Sequence, residues 1–165
     1  MNAVTLVRRI AARPSIVFDA LTTSEGLSSW FGPDEGPVLF VTADVRLGGR
    51  LSARFRLAGD TMEDVATAGS EHECLCEFLE IDKPRRIVMS WQWVFGGDPA
   101  EQGRTSRLEF HLRPIDTGTE LTLIHAGLHD EATARSHDRG WSGALDKLMR
   151  RFPGSTGATE QQAQK

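Results

Sequence analysis

The sequence predicts an α+β domain in which a curved antiparallel sheet of about six or seven strands packs around one long C-terminal helix. Three observations carry this expectation. Several segments alternate apolar and polar residues with period two, most cleanly at 50–57, where Leu51, Ala53, Phe55 and Leu57 oppose Arg50, Ser52, Arg54 and Arg56. Short turn signals join these segments, as hairpins require. The one long helical stripe lies near the end of the chain, where Ala134, His137, Trp141, Leu145, Leu148 and Phe152 recur every three or four residues.

The elements follow in order. Residues 3–11 are rich in β-branched side chains and read as a first strand. Pro14 then stands where a helix begins, and Ile16, Val17, Ala20 and Leu21 form its apolar stripe. Ser24 offers a cap for a second short helix ending near Trp30 and Phe31. After Gly32, Pro33 and Gly36, residues 38–45 read as a strand, Leu47, Gly48 and Gly49 as a tight turn, and 50–57 as the returning arm. Residues 58–71 show neither periodicity and are expected to form a mobile loop.

A strand resumes at 72–81, and Lys83 and Pro84 turn the chain into the next one. There Ile87, Met89, Trp91 and Trp93 share a face opposite Val88, Ser90, Gln92 and Val94. Beyond a glycine- and proline-bearing loop at 96–103, Leu108, Phe110 and Leu112 alternate with Glu109 and His111. After the turn at 116–118, Leu121, Leu123 and His125 face one side. The final helix spans about 130–152. Gly140 and Gly143 flank Trp141 and each weaken it by about 1 kcal/mol relative to alanine, which is tolerable if the helix comes close to the sheet there. Residues 1–152 thus make one domain, and 153–165 are expected to be a disordered tail.

Composition narrows the function classes. At 165 residues, with 39% hydrophobic and 25% charged side chains, the chain suits one well-cored globular domain. A net charge of −4, with each basic cluster diluted by acids, argues against nucleic acid as a partner. No apolar run approaches the roughly 18 residues of a membrane span, and the first eleven residues lack signal-peptide character, so a cytoplasmic address is expected. Cys74 and Cys76 stand two apart on a strand, too constrained for an ordinary disulfide, and read as reduced, half-buried fillers.

The blocks FDALTTSEGLSSWFGP, DVRLGGR, EFLEIDKPRRIVMSWQW, TELTLIHAGL and HDRGWSGALDKL stand in this order over nearly all of residues 4–152. Together they resemble the START-like (SRPBCC) superfamily, and within it the bacterial single-domain branch related to the activator of heat-shock-protein-90 ATPase. The resemblance implies the helix-grip fold, with two short helices after strand one. The sequence departs from the pattern in an acidic loop at 61–70 and at Cys76, where a small residue is more usual.

Such a fold implies an apolar cavity between sheet and helix. On the face assignments above, its lining would comprise Trp30, Phe31, Phe55, Met89, Trp91, Trp93, Phe110, Leu123, His125, His137, Trp141 and Leu145. The same residues would serve equally as an ordinary core. His125, at the end of an apolar face, is suited either to orienting a ligand or to moving a proton.

A binding module for a hydrophobic, aromatic or lipid-like small molecule is the leading expectation. The alternative is a cyclase- or dehydratase-type enzyme with His125 as acid or base and Arg54 or Trp91 positioning the substrate. No inward carboxylate is evident to pair with it, since Asp19, Asp44 and Asp146 fall on expected solvent faces. His125, His129, His137 and Asp130 match no zinc spacing, so neither metal nor other cofactor is expected. The family's name suggests a chaperone partner. The eukaryotic activators carry a further N-terminal domain that this sequence lacks before Met1, which makes that role the weakest expectation. Homodimerisation is compatible with the resemblance, although no seam is evident in the sequence.

Overall fold

A computed structural model describes residues 2–59 and 68–157. Each amphipathic segment meets a partner for its apolar face. Strand β1 (Asn2–Ile10) leads through Pro14, in the first helical turn where its missing N–H costs nothing, into α1 (Pro14–Thr22) and α2 (Ser24–Ser28). Then come β2 (Val38–Ala43), β3 (Arg50–Arg56), β4 (Glu71–Asp82), β5 (Arg86–Phe95), β6 (Ser106–Ile115), β7 (Gly118–Leu128), α3 (Glu131–Arg150) and the two-residue β8 (Thr156–Gly157). The eight strands form one antiparallel sheet in the order β2-β3-β4-β5-β6-β7-β1-β8. Irregular registers in β1, β2 and twice in β4 bend the strands, as a curved sheet requires.

The concave face holds one core. Leu51, Phe78, Ile87, Leu108, Leu121 and Leu123 from the sheet meet Leu21, Leu27, Leu145 and Leu148 from the helices and Trp30 from the turn after α2, all almost fully buried. Asp130 caps α3 by accepting from the Thr133 N–H at 2.8 Å, while Lys147 and Arg150 occupy its last turn, matching the sign of the helix dipole at both ends.

Several expectations need correction. The α1 stripe uses Phe18, whereas Ile16 is exposed. Thr23, not Ser24, caps α2, accepting from the Gly26 N–H at 2.9 Å. Val88, assigned to the wet face, is fully buried: its cross-strand neighbours Glu80 and Glu109 are bridged by Arg86 and Arg107, which roof it. Cys74 and Cys76 share a face and are free, but are wholly rather than half buried; the hydrogen bond of the Cys76 thiol with Cys74, followed by burial, pushes that thiol well up.

The close approach at Gly143 is to a loop, not to the sheet. A Cβ there would lie 2.0 Å from the Pro33 carbonyl oxygen. The start of the expected tail is ordered: Thr156 and Gly157 pair with Arg9 and Arg8, and Ser155 Oγ accepts from the Ala11 N–H at 2.9 Å. Residues 158–165 lie outside the described residues, as does most of the expected loop at 58–71. The base of that loop is closed by the Leu57–Ser70 and Gly69–Leu57 backbone bonds. No helix among the described residues is long and apolar enough to cross a membrane.

Candidate functional site

Where β3 and β5 face α3, the core opens into a cleft of about 350 Å³. Its walls are the rings of Phe31, Phe55, Trp91, Trp93 and Trp141, and two loops frame it, one carrying Gly32 and Pro33 and the other running from Gly97 to Glu101. Trp91 meets Trp93 and Trp141 edge to face, at 5.3 and 5.4 Å between centroids, and stacks on Phe31 at 6.3 Å. Trp91 and Trp141 therefore face each other, as the alternation of β5 and the α3 stripe predict. They touch, however, so the open space lies beside this pair rather than between them.

Of the twelve residues expected to line a cavity, Phe31, Phe55, Trp91, Trp93, His137 and Trp141 do so. Trp30, Met89, Phe110, Leu123 and Leu145 belong to the solid core, and the Trp30 indole N–H is satisfied by the Ala20 carbonyl at 2.8 Å. His125 lies behind the cleft wall, fully buried. Arg54 points to the outer face, where it pairs with Glu73 at 2.8 Å and its guanidinium lies between Phe40 and Phe95. It is removed from any substrate-positioning role in the cleft.

The polar groups of the site form a short chain. Glu101, in the 3-10 turn Pro99–Glu101, is buried and accepts from Trp93 Nε1 at 3.1 Å and from His137 Nε2 at 2.8 Å. It is the inward carboxylate that the sequence reading lacked. His137 packs against His125 with ring centroids 4.4 Å apart and lies parallel to Trp93, 6.4 Å away.

His125 is engaged at both nitrogens. Trp141 Nε1, a donor only, gives its proton to Nδ1 at 3.0 Å, so the ring proton sits on Nε2 and is donated to Ser106 Oγ at 2.7 Å. Burial, followed by repulsion from His137, lowers the His125 pKa well below its ordinary value, in keeping with this neutral ring. His125 thus holds Trp141 in place and has no free nitrogen with which to move a proton.

His72, on the cleft's other side, is similarly engaged. Its Nδ1 accepts from the Gly97 N–H at 2.7 Å and its Nε2 lies 2.9 Å from Ser70 Oγ. Trp91 Nε1 is buried with no hydrogen-bond partner among the described residues. His129 is at the surface, 3.9 Å from Asp130. Among the described residues no group of three or more His, Cys, Asp or Glu side chains is arranged to hold a metal ion.

A curved antiparallel sheet gripping a C-terminal helix, with two short helices after the first strand, is the helix-grip architecture of START-like proteins. The sequence profile described as "Activator of Hsp90 ATPase homolog 1-like protein" matches residues 11–152, and the chain belongs to that family. Solved structures agree on the fold. A Chromobacterium violaceum protein superposes with a TM-score of 0.74 at 21% identity, covering 92% of this chain and 98% of the other. The AHSA1 protein of Silicibacter pomeroyi gives 0.72 at 24% identity, covering 90% and 96%. A Mycobacterium smegmatis protein gives 0.72 at 19% identity, covering 92% and 91%. A comparison with curated proteins found no match.

Proposed function

We propose that this protein binds a small aromatic or otherwise hydrophobic molecule in the cleft between β3, β5 and α3. The observation that carries the reading is a space of about 350 Å³, within the range of small-molecule sites, walled by five aromatic rings over the buried Glu101–His137 pair. Apolar walls with a few convergent polar groups are what small-molecule recognition needs, the walls for affinity and the polar atoms for orientation. The fold, which suits ligand binding in general, supports the same reading.

Catalysis at His125 loses its motive, since both ring nitrogens are committed to neighbours. Chaperone binding, which the family's name carries, finds no counterpart in the chemistry of the cleft. The two free cysteines suit the reducing, cytoplasmic setting in which we place the protein.

Native mass spectrometry of protein isolated from its own source tests the proposal, with a retained small molecule as the expected result. Titration calorimetry with 2-methylnaphthalene is the second arm. Saturable one-to-one uptake is expected, and no uptake up to the solubility limit would overturn the reading.

A further inference from the structure

The polar groups around the cleft differ in what they leave unused. His125 and His72 each receive an N–H at Nδ1, from Trp141 and Gly97, and each has a hydroxyl at Nε2. Trp93 and Trp141 have spent their indole N–H groups on Glu101 and His125, whereas that of Trp91 is buried with no partner among the described residues. Asp98 accepts from the Ala100 N–H through one oxygen and lies within reach of Thr133 Oγ1 through the other.

Among the imidazoles of the cleft His137 is different, because it keeps an acceptor unused. Its Nε2 faces both oxygens of Glu101, a carboxylate that only accepts, so the ring proton is held on Nε2. In the neutral ring Nδ1 then carries a lone pair, and among the described residues that nitrogen has no hydrogen-bond partner, although the residue lines the cleft. A carboxylate that fixes the tautomer of an imidazole and turns its other nitrogen outward as an acceptor is a recurring device of functional sites.

We infer that the cleft selects an aromatic ligand bearing a hydrogen-bond donor, a ring hydroxyl or ring N–H, which it gives to Nδ1 of His137 while Glu101 holds the opposite side of the imidazole. This rests on the binding reading above and adds the chemical class of the ligand. The aromatic walls set the shape of the guest. Glu101 sets its polarity, as a positioning residue that acts through His137.

The substitution Glu101→Gln gives this a sign as well as a size. Trp93 Nε1 still requires an oxygen, so the new amide turns its oxygen to Trp93 and its NH2 to His137 Nε2. Nε2 must then accept, the ring proton moves to Nδ1, and the cleft presents a donor where it presented an acceptor. The preference for ligands should invert.

The test compares three probes of nearly equal shape by calorimetry: 2-naphthol, which donates; 2-methylnaphthalene, which does neither; and 2-acetylnaphthalene, which only accepts. The affinity ratio of 2-naphthol to 2-methylnaphthalene should fall roughly tenfold in His137→Phe and in Glu101→Gln, the worth of one well-formed hydrogen bond. Binding of 2-methylnaphthalene is measured in each variant as the reference, so that any change in the apolar walls cancels from the ratio. In Glu101→Gln alone, 2-acetylnaphthalene should gain several-fold, which a merely structural role for Glu101 would not produce. Thermal unfolding confirms that each variant is folded, and Glu101→Gln keeps the test sharp should His137→Phe fail to fold. An unchanged ratio in both variants, with 2-methylnaphthalene still bound, would overturn the inference and leave the binding reading standing. Failure of the unaltered protein to take up any of the three would overturn both.

Discussion

Asp34 and Glu101 are equally buried carboxylates on the two loops that frame one cleft, yet they serve different ends. Asp34 accepts from the backbone N–H groups of Gly36, Ala58 and Gly59 at 2.8 to 3.2 Å, which ties its own loop to the chain just after β3. Glu101 accepts from the side chains of Trp93 and His137, which line the cleft. A carboxylate that gathers backbone donors fixes where the chain goes. One that gathers side-chain donors fixes which way rings turn and which atoms they present. The first loop is bound further to α3, where Lys147 Nζ donates to the Phe31 and Asp34 carbonyls at 3.0 and 2.6 Å, Gly143 admits Pro33, and Arg150 pairs with Glu35.

The contrast can be broken by substitution. Asp34→Ala leaves three backbone donors without their acceptor, and urea unfolding should show a loss of about 3 kcal/mol. A loss below about 1 kcal/mol would mean that Asp34 does not anchor the loop. Gly143→Ala should come next, at about 2 kcal/mol destabilising, because the new methyl group meets the Pro33 carbonyl and the clash exceeds the roughly 1 kcal/mol of helix propensity gained. Stabilisation instead would show that the Pro33 loop yields freely.

On the side of Glu101 the test is pH. His125 packs against His137, which faces Glu101, and its folded pKa lies below the unfolded value of about 6.5. The unfolded chain therefore binds this proton first. Stability is full above about pH 6.5 and falls as the pH drops below it, by up to about 1.4 kcal/mol per pH unit for this one group until the folded pKa is reached. His125→Gln, which can still accept from Trp141 and donate to Ser106, should remove that component of the slope; an unaltered slope would assign it elsewhere. The smallest effect is expected at Gly140. An added methyl meets only Pro33 Cβ at 3.4 Å, so Gly140→Ala should stabilise by about 0.5 to 1 kcal/mol, opposite in sign to its neighbour three residues on.

Much of this architecture was legible because periodicity reports burial. The alternation at 50–57 and 87–93 placed Phe55, Trp91 and Trp93 on the inner face, and the helical stripe placed His137 and Trp141 opposite them. Periodicity says nothing about loops, which is why Glu101 escaped notice. It lies in GGDPAEQG, a run that reads as a solvated turn, and its burial depends on Trp93 and His137 arriving from a strand and a helix. Asp34 was hidden in GPDEGP for the same reason. Val88 shows the reverse failure, a residue on the polar face buried because its neighbours' ion pairs close over it. Alternation also could not separate core from cleft: Trp30, Met89, Phe110, Leu123 and Leu145 face inward like the lining residues, and only the ring packing in three dimensions decides where space remains.

The clustering of indoles gives the molecule a signal of its own. Three of its four tryptophans, Trp91, Trp93 and Trp141, wall one small space. Near-ultraviolet absorption and emission therefore arise largely from the place a guest would enter, and at separations of 5.3 to 5.4 Å between neighbouring rings excitation is shared among them. Whatever occupies that space should change the brightness, colour and circular dichroism of the protein without any added dye.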